Sequence, residues 1–170
     1  MSNLSVPDNK GLNLQQLVEE YGDAMLRLCF LYLHDLHSAE DALQEAFIKL
    51  YQKWPTFRGA CSEKTWITRI VINVCRSQLR SKWVKRVVLK NQLEGESFCY
   101  AAVIEDDTVL KEVSKLKPKY KEVVLLFYYR EMKTKEIAAA LGLSDSAVCV
   151  RLNRARLQLK KQLEGWYFDD

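Results

Sequence analysis

Toward the end of the chain, Arg151, Asn153 and Arg154 combine residue types and spacing that suit the reading of a DNA duplex, and Ser144 and Ser146 lie just upstream of them. An arginine fork matches the two acceptors of guanine, an amide matches adenine, and hydroxyls near a helix start bind phosphate alongside the free N–H groups there. Arg156 extends the basic character, whereas Asp145 would repel phosphate and suits a helix start. Cys149 and Val150, at positions expected to reach base edges, bring little hydrogen-bonding capacity. A segment with so few polar contacts leaves more weight on Arg151, Asn153, Arg154 and DNA shape.

A second group has different chemistry. Phe57 and Arg58 lie beside Pro55 and Gly59 in a loop-like stretch, followed by Asn73, Arg76, Ser77 and Arg80 at helical spacing. A loop aromatic with cations and amides is what single-stranded DNA requires: a stacking surface, a track for phosphates and donors for exposed base edges. Phe57 has two readings, a stacking surface or a core-closing ring, while Trp66 reads as core. The net charge of +4 is uninformative, but its distribution is not. Lys64 to Lys90 contains eight basic residues and no acid, and Arg151, Arg154, Arg156, Lys160 and Lys161 form a second basic run. Glu94, Glu96, Glu105, Asp106 and Asp107 lie between them. Two basic segments separated by an acidic one suggest two nucleic-acid contacts.

Other chemistries are poorly supplied. The six glycines form no phosphate-cradling pattern, and His34 and His37 have no convincing nucleophile partner, so no catalytic set and no cofactor are expected. The same two histidines lack a third ligand at a usual spacing, so no metal is expected. Five scattered cysteines without a CxxC pair read as reduced, mostly buried thiols. The N-terminal "MSNLSVPDNKGLN" has no apolar signal region, and no stretch is apolar enough to enter a membrane. A cytoplasmic location is expected.

These residues must be positioned by helices. Leu14, Leu17, Val18, Tyr21, Met25, Leu28 and Leu31 mark a first amphipathic stripe. A second helix begins after a Ser38 cap, with Glu40 and Asp41 in its first turn, and ends at Trp54-Pro55. Ser62 caps a third, whose apolar face holds Trp66, Ile70, Val74 and Leu79. Periodicity fades after Trp83 and resumes near Thr108; Pro118 suits the first turn of the following helix, which runs through "KYKEVVLLFYYREM". Thr134 caps "KEIAAAL", Gly142 ends it, and Ser144 caps the last long helix. Ala138, Gly142 and Val148 have the spacing of a helix-turn-helix: a small residue at the crossing, a turn at positive φ, and an apolar lock, with Ile137 and Leu141 facing the core. The expected fold is all-α, two small helical domains at 12–82 and 108–165 joined by a linker at 83–107. Some 25 linker residues reach roughly 80 Å when extended, against about 70 Å for two turns of B-DNA.

Taken in order, "SAEDALQEAFIKLYQKW", "FRGACSEKTWITRIVINVCRSQLR" and "TKEIAAALGLSDSAVCVRLNRARLQLKKQL" resemble a bacterial RNA polymerase sigma factor of the extracytoplasmic-function (ECF) group, sigma-70 family. The resemblance spans about Leu14 to Leu163. It implies a sigma-two domain that docks on the β′ clamp helices of core RNA polymerase through Asp41, Gln44, Glu45, Phe47, Ile48 and Tyr51. It implies opening of the minus-ten element and capture of a flipped base at Phe57, Arg58, Asn73, Arg76, Ser77 and Arg80. The sigma-four domain would read the minus-35 element through Ser144, Ser146, Cys149, Val150, Arg151, Asn153 and Arg154, with the preceding region facing the β flap. The linker would thread toward the active-site and RNA-exit channels. Members of the group are commonly held by an anti-sigma factor, often membrane-anchored.

This chain departs from the family pattern in having Cys149 where a polar or basic residue is frequent, Val150 for a small hydroxyl, Ala147 for Thr and Ser77 for Asp. Those changes bear on promoter sequence. Two other readings start from the same residues: a free-standing repressor or activator with a sensory first domain, and a polymerase-binding interaction protein. The first predicts tight duplex binding without polymerase; the second leaves the basic runs unexplained. The tail "GWYFDD" is either packed on its own domain or an aromatic contact surface.

Overall fold

The structure, a computed structural model, describes residues 14–89 and 108–167, with side chains from 15 to 81 and from 109 to 164. The acidic part of the linker, Cys99 and the "GWYFDD" side chains lie outside the described residues. Helices account for the regular structure, and no strand occurs among the described residues. The helices are α1 (Leu14–Leu33), α2 (Leu36–Lys53), α3 (Glu63–Leu89), α4 (Thr108–Lys115), α5 (Pro118–Val124), α6 (Thr134–Leu141) and α7 (Asp145–Tyr167). The chain divides into two compact units, residues 1–79 and 80–170.

In the first unit, α1 packs on α2. Ala39, Ala42, Ala46 and Leu50 recur three and four residues apart on α2 and are fully buried, so the small side chains let the helices approach closely. From α1 come Leu17, Met25, Leu28 and Tyr32; Val18 lies at the margin of the expected stripe and is 45% exposed. The middle of α3 is buried over most of its circumference, by Ile67, Ile70, Val71, Ile72, Val74 and Cys75, which is broader than the single face expected from Trp66, Ile70, Val74 and Leu79. Cys29 and Cys75 meet in this core with sulfurs 3.7 Å apart, and the Cys75 thiol is pushed far above its ordinary pKa by its bond to Cys29 and by burial. Cys61 is half-buried and Cys149 exposed, so the expected burial holds for two of the four described cysteines.

The helix starts are partly where the sequence puts them. Ser62 caps α3, its Oγ accepting from the Thr65 N–H at 3.2 Å. Ser144 caps α7 in the same way, accepting from Ala147 N–H at 3.2 Å. Ser38 does not cap α2. Asp35 does, in an extended conformation (φ −151°), accepting from the Ser38 N–H at 3.1 Å and from the Ser38 hydroxyl. Two competent cap residues stand three apart there, and the one nearer the chain reversal at His34 (φ +65°) is used. Glu40 and Asp41 consequently lie beyond the first turn. Thr134 likewise is the first residue of α6 rather than its cap; Lys133 occupies the cap position, its N–H donating to Glu136 Oε2 at 2.8 Å.

α3 continues past the fading of periodicity, to Leu89. No glycine or proline stands between Ala60 and Glu94, and a weakened period is not by itself a stop signal. Conversely, the helix expected to run unbroken through Met132 widens after Val124 into a π turn at Leu125–Tyr129, with Arg130 N–H donating to Leu125 O at 3.2 Å. Leu125, Leu126 and Met132 remain buried, while Tyr128 and Tyr129 are exposed.

In the second unit, α4, α5 and α6 all pack on α7, which contributes Val148, Leu152 and Ala155. Ile137, Ala138 and Leu141 of α6 are buried against this assembly. Gly142 follows α6 at φ +68°, and the Leu143 N–H returns to Ala138 O at 2.9 Å. A β-carbon added at Gly142 would meet nothing within 4 Å, so its requirement is purely conformational. Gly142→Ala is therefore expected to cost about 1–2 kcal/mol, the penalty of a left-handed alanine. Chemical denaturation of the variant checks this; a stability equal to that of the parent chain would contradict it.

Candidate nucleic-acid interface

Helix α7 presents the duplex-reading candidates from one element. Ser144, Ser146, Cys149, Val150, Asn153 and Arg154 are exposed and Arg151 is half-buried, while Val148, Leu152 and Ala155 anchor the opposite side. The anchoring spacing of four and three turns the exposed residues outward together. Ser144 and Ser146 hydroxyls lie 3.0 Å apart at the helix start, where Asp145 occupies the first helical position.

The structure adds two residues that sequence reasoning did not place here. A shallow concavity of about 320 Å³ is lined by Ser146, Ala147, Val150, Arg151 and Arg154 of α7 and by Lys119 and Tyr120 of α5. The Lys119 ammonium sits 5.1 Å from the centre of the Tyr120 ring. The Arg154 guanidinium at the Tyr120 hydroxyl lowers the phenol pKa, with Lys119 adding to the effect. Lys119 could have been noticed as a cation beside the Pro118 helix start; its proximity to α7 could not. Arg156, by contrast, is engaged elsewhere, its Nε donating to the Tyr128 hydroxyl at 3.0 Å and its guanidinium lying over the Phe127 and Tyr128 rings.

In the first unit, the loop after α2 begins with a 3-10 turn at Trp54–Thr56 and passes Gly59 at φ +69°. Phe57 joins Trp54 and Trp66 in a three-ring cluster, with centroids 5.7 Å and 4.9 Å from its own ring. Trp54 and Trp66 are 5.8 Å apart, edge to face. The packing role is therefore present for both Phe57 and Trp66; Phe57 stays half-buried, leaving part of its ring accessible beside exposed Arg58. Along α3, Asn73 and Ser77 are exposed one turn apart, with Arg76 half-buried beside them. Arg69, exposed and one turn before Asn73, belongs to the same stripe and was legible only as part of a basic run. Arg80 is exposed farther along α3, beyond the end of the first unit.

The proposed polymerase-facing residues lie on α2 opposite its alanine stripe. Asp41, Gln44 and Ile48 are exposed; Glu45, Phe47 and Tyr51 are half-buried. Ile48 is 58% exposed, one residue from Phe47 and three from Tyr51 on this face. Glu45 is paired with Lys49 at 2.6 Å. His37 faces Asp41 at 3.8 Å, and no cluster of three potential metal ligands forms among the described residues. No helix among the described residues is long and apolar enough to cross a membrane.

Among the described residues the regular structure is helical, with a basic helix-turn-helix in one unit and a cationic helix face in the other, an arrangement suited to binding DNA. Residues 17–84 match Sigma-70 region 2 and residues 107–159 match Sigma-70, region 4. The RNA polymerase sigma-E factor of Streptomyces coelicolor is 30% identical over 89% of this chain and 86% of its own length. The ECF RNA polymerase sigma factor SigW of Bacillus subtilis is 29% identical over 86% and 87%. Among solved structures, CnrH in complex with the cytosolic domain of CnrY matches with a TM-score of 0.70, at 25% identity over 92% of each chain. The chain belongs to the sigma-70 family of RNA polymerase sigma factors, in its ECF group. As a sigma factor it binds core RNA polymerase and directs promoter-specific initiation, and it is not an enzyme.

Proposed function

We propose that the two units divide promoter recognition, with the exposed face of α7 reading the minus-35 element and the α3 face and its preceding loop opening the minus-ten element. The observation that carries this division is the grouping of Ser146, Val150, Arg151 and Arg154 around one concavity, in a unit separate from that of Asn73 and Phe57. Ser144, Ser146 and Arg151 hold phosphate; Asn153 and Arg154 read base edges; Cys149 and Val150 contribute shape and apolar contact. In the other unit Phe57 and Arg58 flank the flipped base, and Asn73, Arg76 and Ser77, with Arg80 farther along α3, bind the separated strand. Asp41, Gln44, Glu45, Phe47, Ile48 and Tyr51 dock on the polymerase β′ clamp helices, and the region before α6 faces the β flap. Exposed Ile48 together with half-exposed Phe47 and Tyr51 supports this assignment, because a group of apolar side chains open to solvent gains by being covered.

The domain limits that go with this reading are residues 12–82 and 108–165, with a linker between them. The chain acts in the cytoplasm, where core polymerase resides. An anti-sigma factor holds it until it is needed; the pairing of the similar chain CnrH with a cytosolic domain supports a membrane-anchored antagonist. Pull-down with core polymerase followed by run-off transcription tests the central reading, and absence of stimulated initiation from every promoter tried would refute it. Asn73→Ala is expected to lower open-complex formation by about 3- to 10-fold, the weight of one or two hydrogen bonds. Duplex minus-35 binding should be unchanged. Permanganate footprinting measures the opening, and wild-type reactivity would remove Asn73 from the site.

A further inference from the structure

We propose that Tyr120 is a positioning residue of the minus-35 reader, its phenol oxygen holding the Arg154 guanidinium so that the remaining N–H groups meet a base edge in one orientation. This rests on the reading of Arg154 as a base contact and deepens it. Tyr120 belongs to α5, outside the helix-turn-helix, and its side chain is only 7% exposed. It is thus fixed by the core while lining the same concavity as Arg154.

The physical need for such a partner is plain. Arg154 is exposed on α7, and a long side chain in solvent samples many rotamers that must be lost on binding. A guanidinium has five N–H donors in a rigid fork, so giving one to a fixed acceptor leaves others free for a bidentate pair with guanine. The phenol can accept from the guanidinium and still donate its own proton into the concavity. The charge environment agrees: Arg154 first, and Lys119 after it, favour negative character on the Tyr120 oxygen, which makes it a better acceptor. Lys119, over the Tyr120 ring at 5.1 Å, adds a cation to the same wall and disfavours excursions of Arg154 toward it.

A second tyrosine–arginine pair shows what the first does differently. Arg156 is held by Tyr128, with its guanidinium over two rings, and does not line the concavity. Arg154 instead shares the wall of an open concavity with Tyr120, close enough for its charge to act on the phenol. The first arrangement absorbs an arginine into the protein; the second aims one outward.

The test uses holoenzyme assembled from core polymerase and the full chain, on a promoter mapped from transcripts induced by overexpression, with its minus-35 element randomised. Tyr120→Phe keeps the ring and removes the oxygen, and its melting temperature checks that the fold persists. The expected result is a loss of about 3- to 10-fold in preference at one base pair, the scale of a single hydrogen bond. That base pair should be the one at which Arg154→Ala also loses preference, and Tyr120→Phe should add nothing in the Arg154→Ala background. Wild-type preference in Tyr120→Phe, with preference lost in Arg154→Ala, would overturn the positioning role while leaving Arg154 as a base contact. Unchanged preference in Arg154→Ala would remove the base contact itself. A loss spread evenly over all sequences, or additive in the double variant, would also overturn the proposal.

Discussion

Replacing Val148 by Asp is expected to unfold the helix-turn-helix and abolish promoter-directed transcription, at a cost of about 3–5 kcal/mol for an unpaired buried charge. Val148 is 0% exposed, on the helix that packs against α6 with its buried Ile137 and Ala138. A carboxylate there would lose its hydration on burial, which is what makes the substitution costly. Marginally stable domains rarely have more than two or three times that amount to lose. The first unit has its own core, around Met25, Leu28 and Ile67, and should persist. Circular dichroism would then show partial rather than complete loss of helix, with the remaining helices melting as in the parent chain. Full helix content together with normal transcription would contradict this account of the crossing.

Arg154→Ala has the second largest expected effect, and it falls on specificity rather than on folding. Arg154 is exposed and lies on the rim of the concavity with Arg151 and Ser146, so its removal leaves no cavity in the core. If it forms a bidentate pair with a guanine, discrimination at that base pair should drop by about 1–3 kcal/mol. Arg151, half-buried in the same wall, is better placed to hold phosphate, and its loss should weaken all sequences alike. The two arginines are thus separated by pattern as well as by size of effect. Competition between promoter variants in run-off transcription measures it; equal ranking of variants by Arg154→Ala and the parent would show that Arg154 does not read a base.

The helix-turn-helix was legible because its constraints are local. Ala138, Gly142 and Val148 are fixed by a turn of a few residues, and a left-handed glycine announces itself in the pattern. Helix starts were less so. "HDLHSAED" contains two good caps, and which one is used depends on where the backbone reverses at His34, a positive-φ residue with no glycine to mark it. Lys133 caps α6 through a backbone N–H to Glu136, a role that needs no particular side chain at the cap itself. The π turn at Leu125–Tyr129 lies in a run of apolar residues without a period, so nothing in the order of residues distinguishes it from an α-helix. The concavity was invisible for another reason. Tyr120 is a buried residue of α5, and only the packing of α5 on α7 brings it to the same concavity as Arg154. Family membership, finally, decides between a polymerase subunit and a free-standing regulator, since the helix-turn-helix would serve either.

The exposure of Cys149 and Val150 has a consequence for how such a chain diverges over generations. Both stand clear of the core, and surface exchanges of this kind usually shift stability by less than about half a kcal/mol. Their neighbours in the sequence, Val148 and Leu152, are locked inside and cannot vary so freely. Lineages can therefore sample new side chains at these exposed positions, proposed to face DNA, without risking the fold, and on that reading a gene duplicate can drift toward different promoters while its scaffold remains under the same selection.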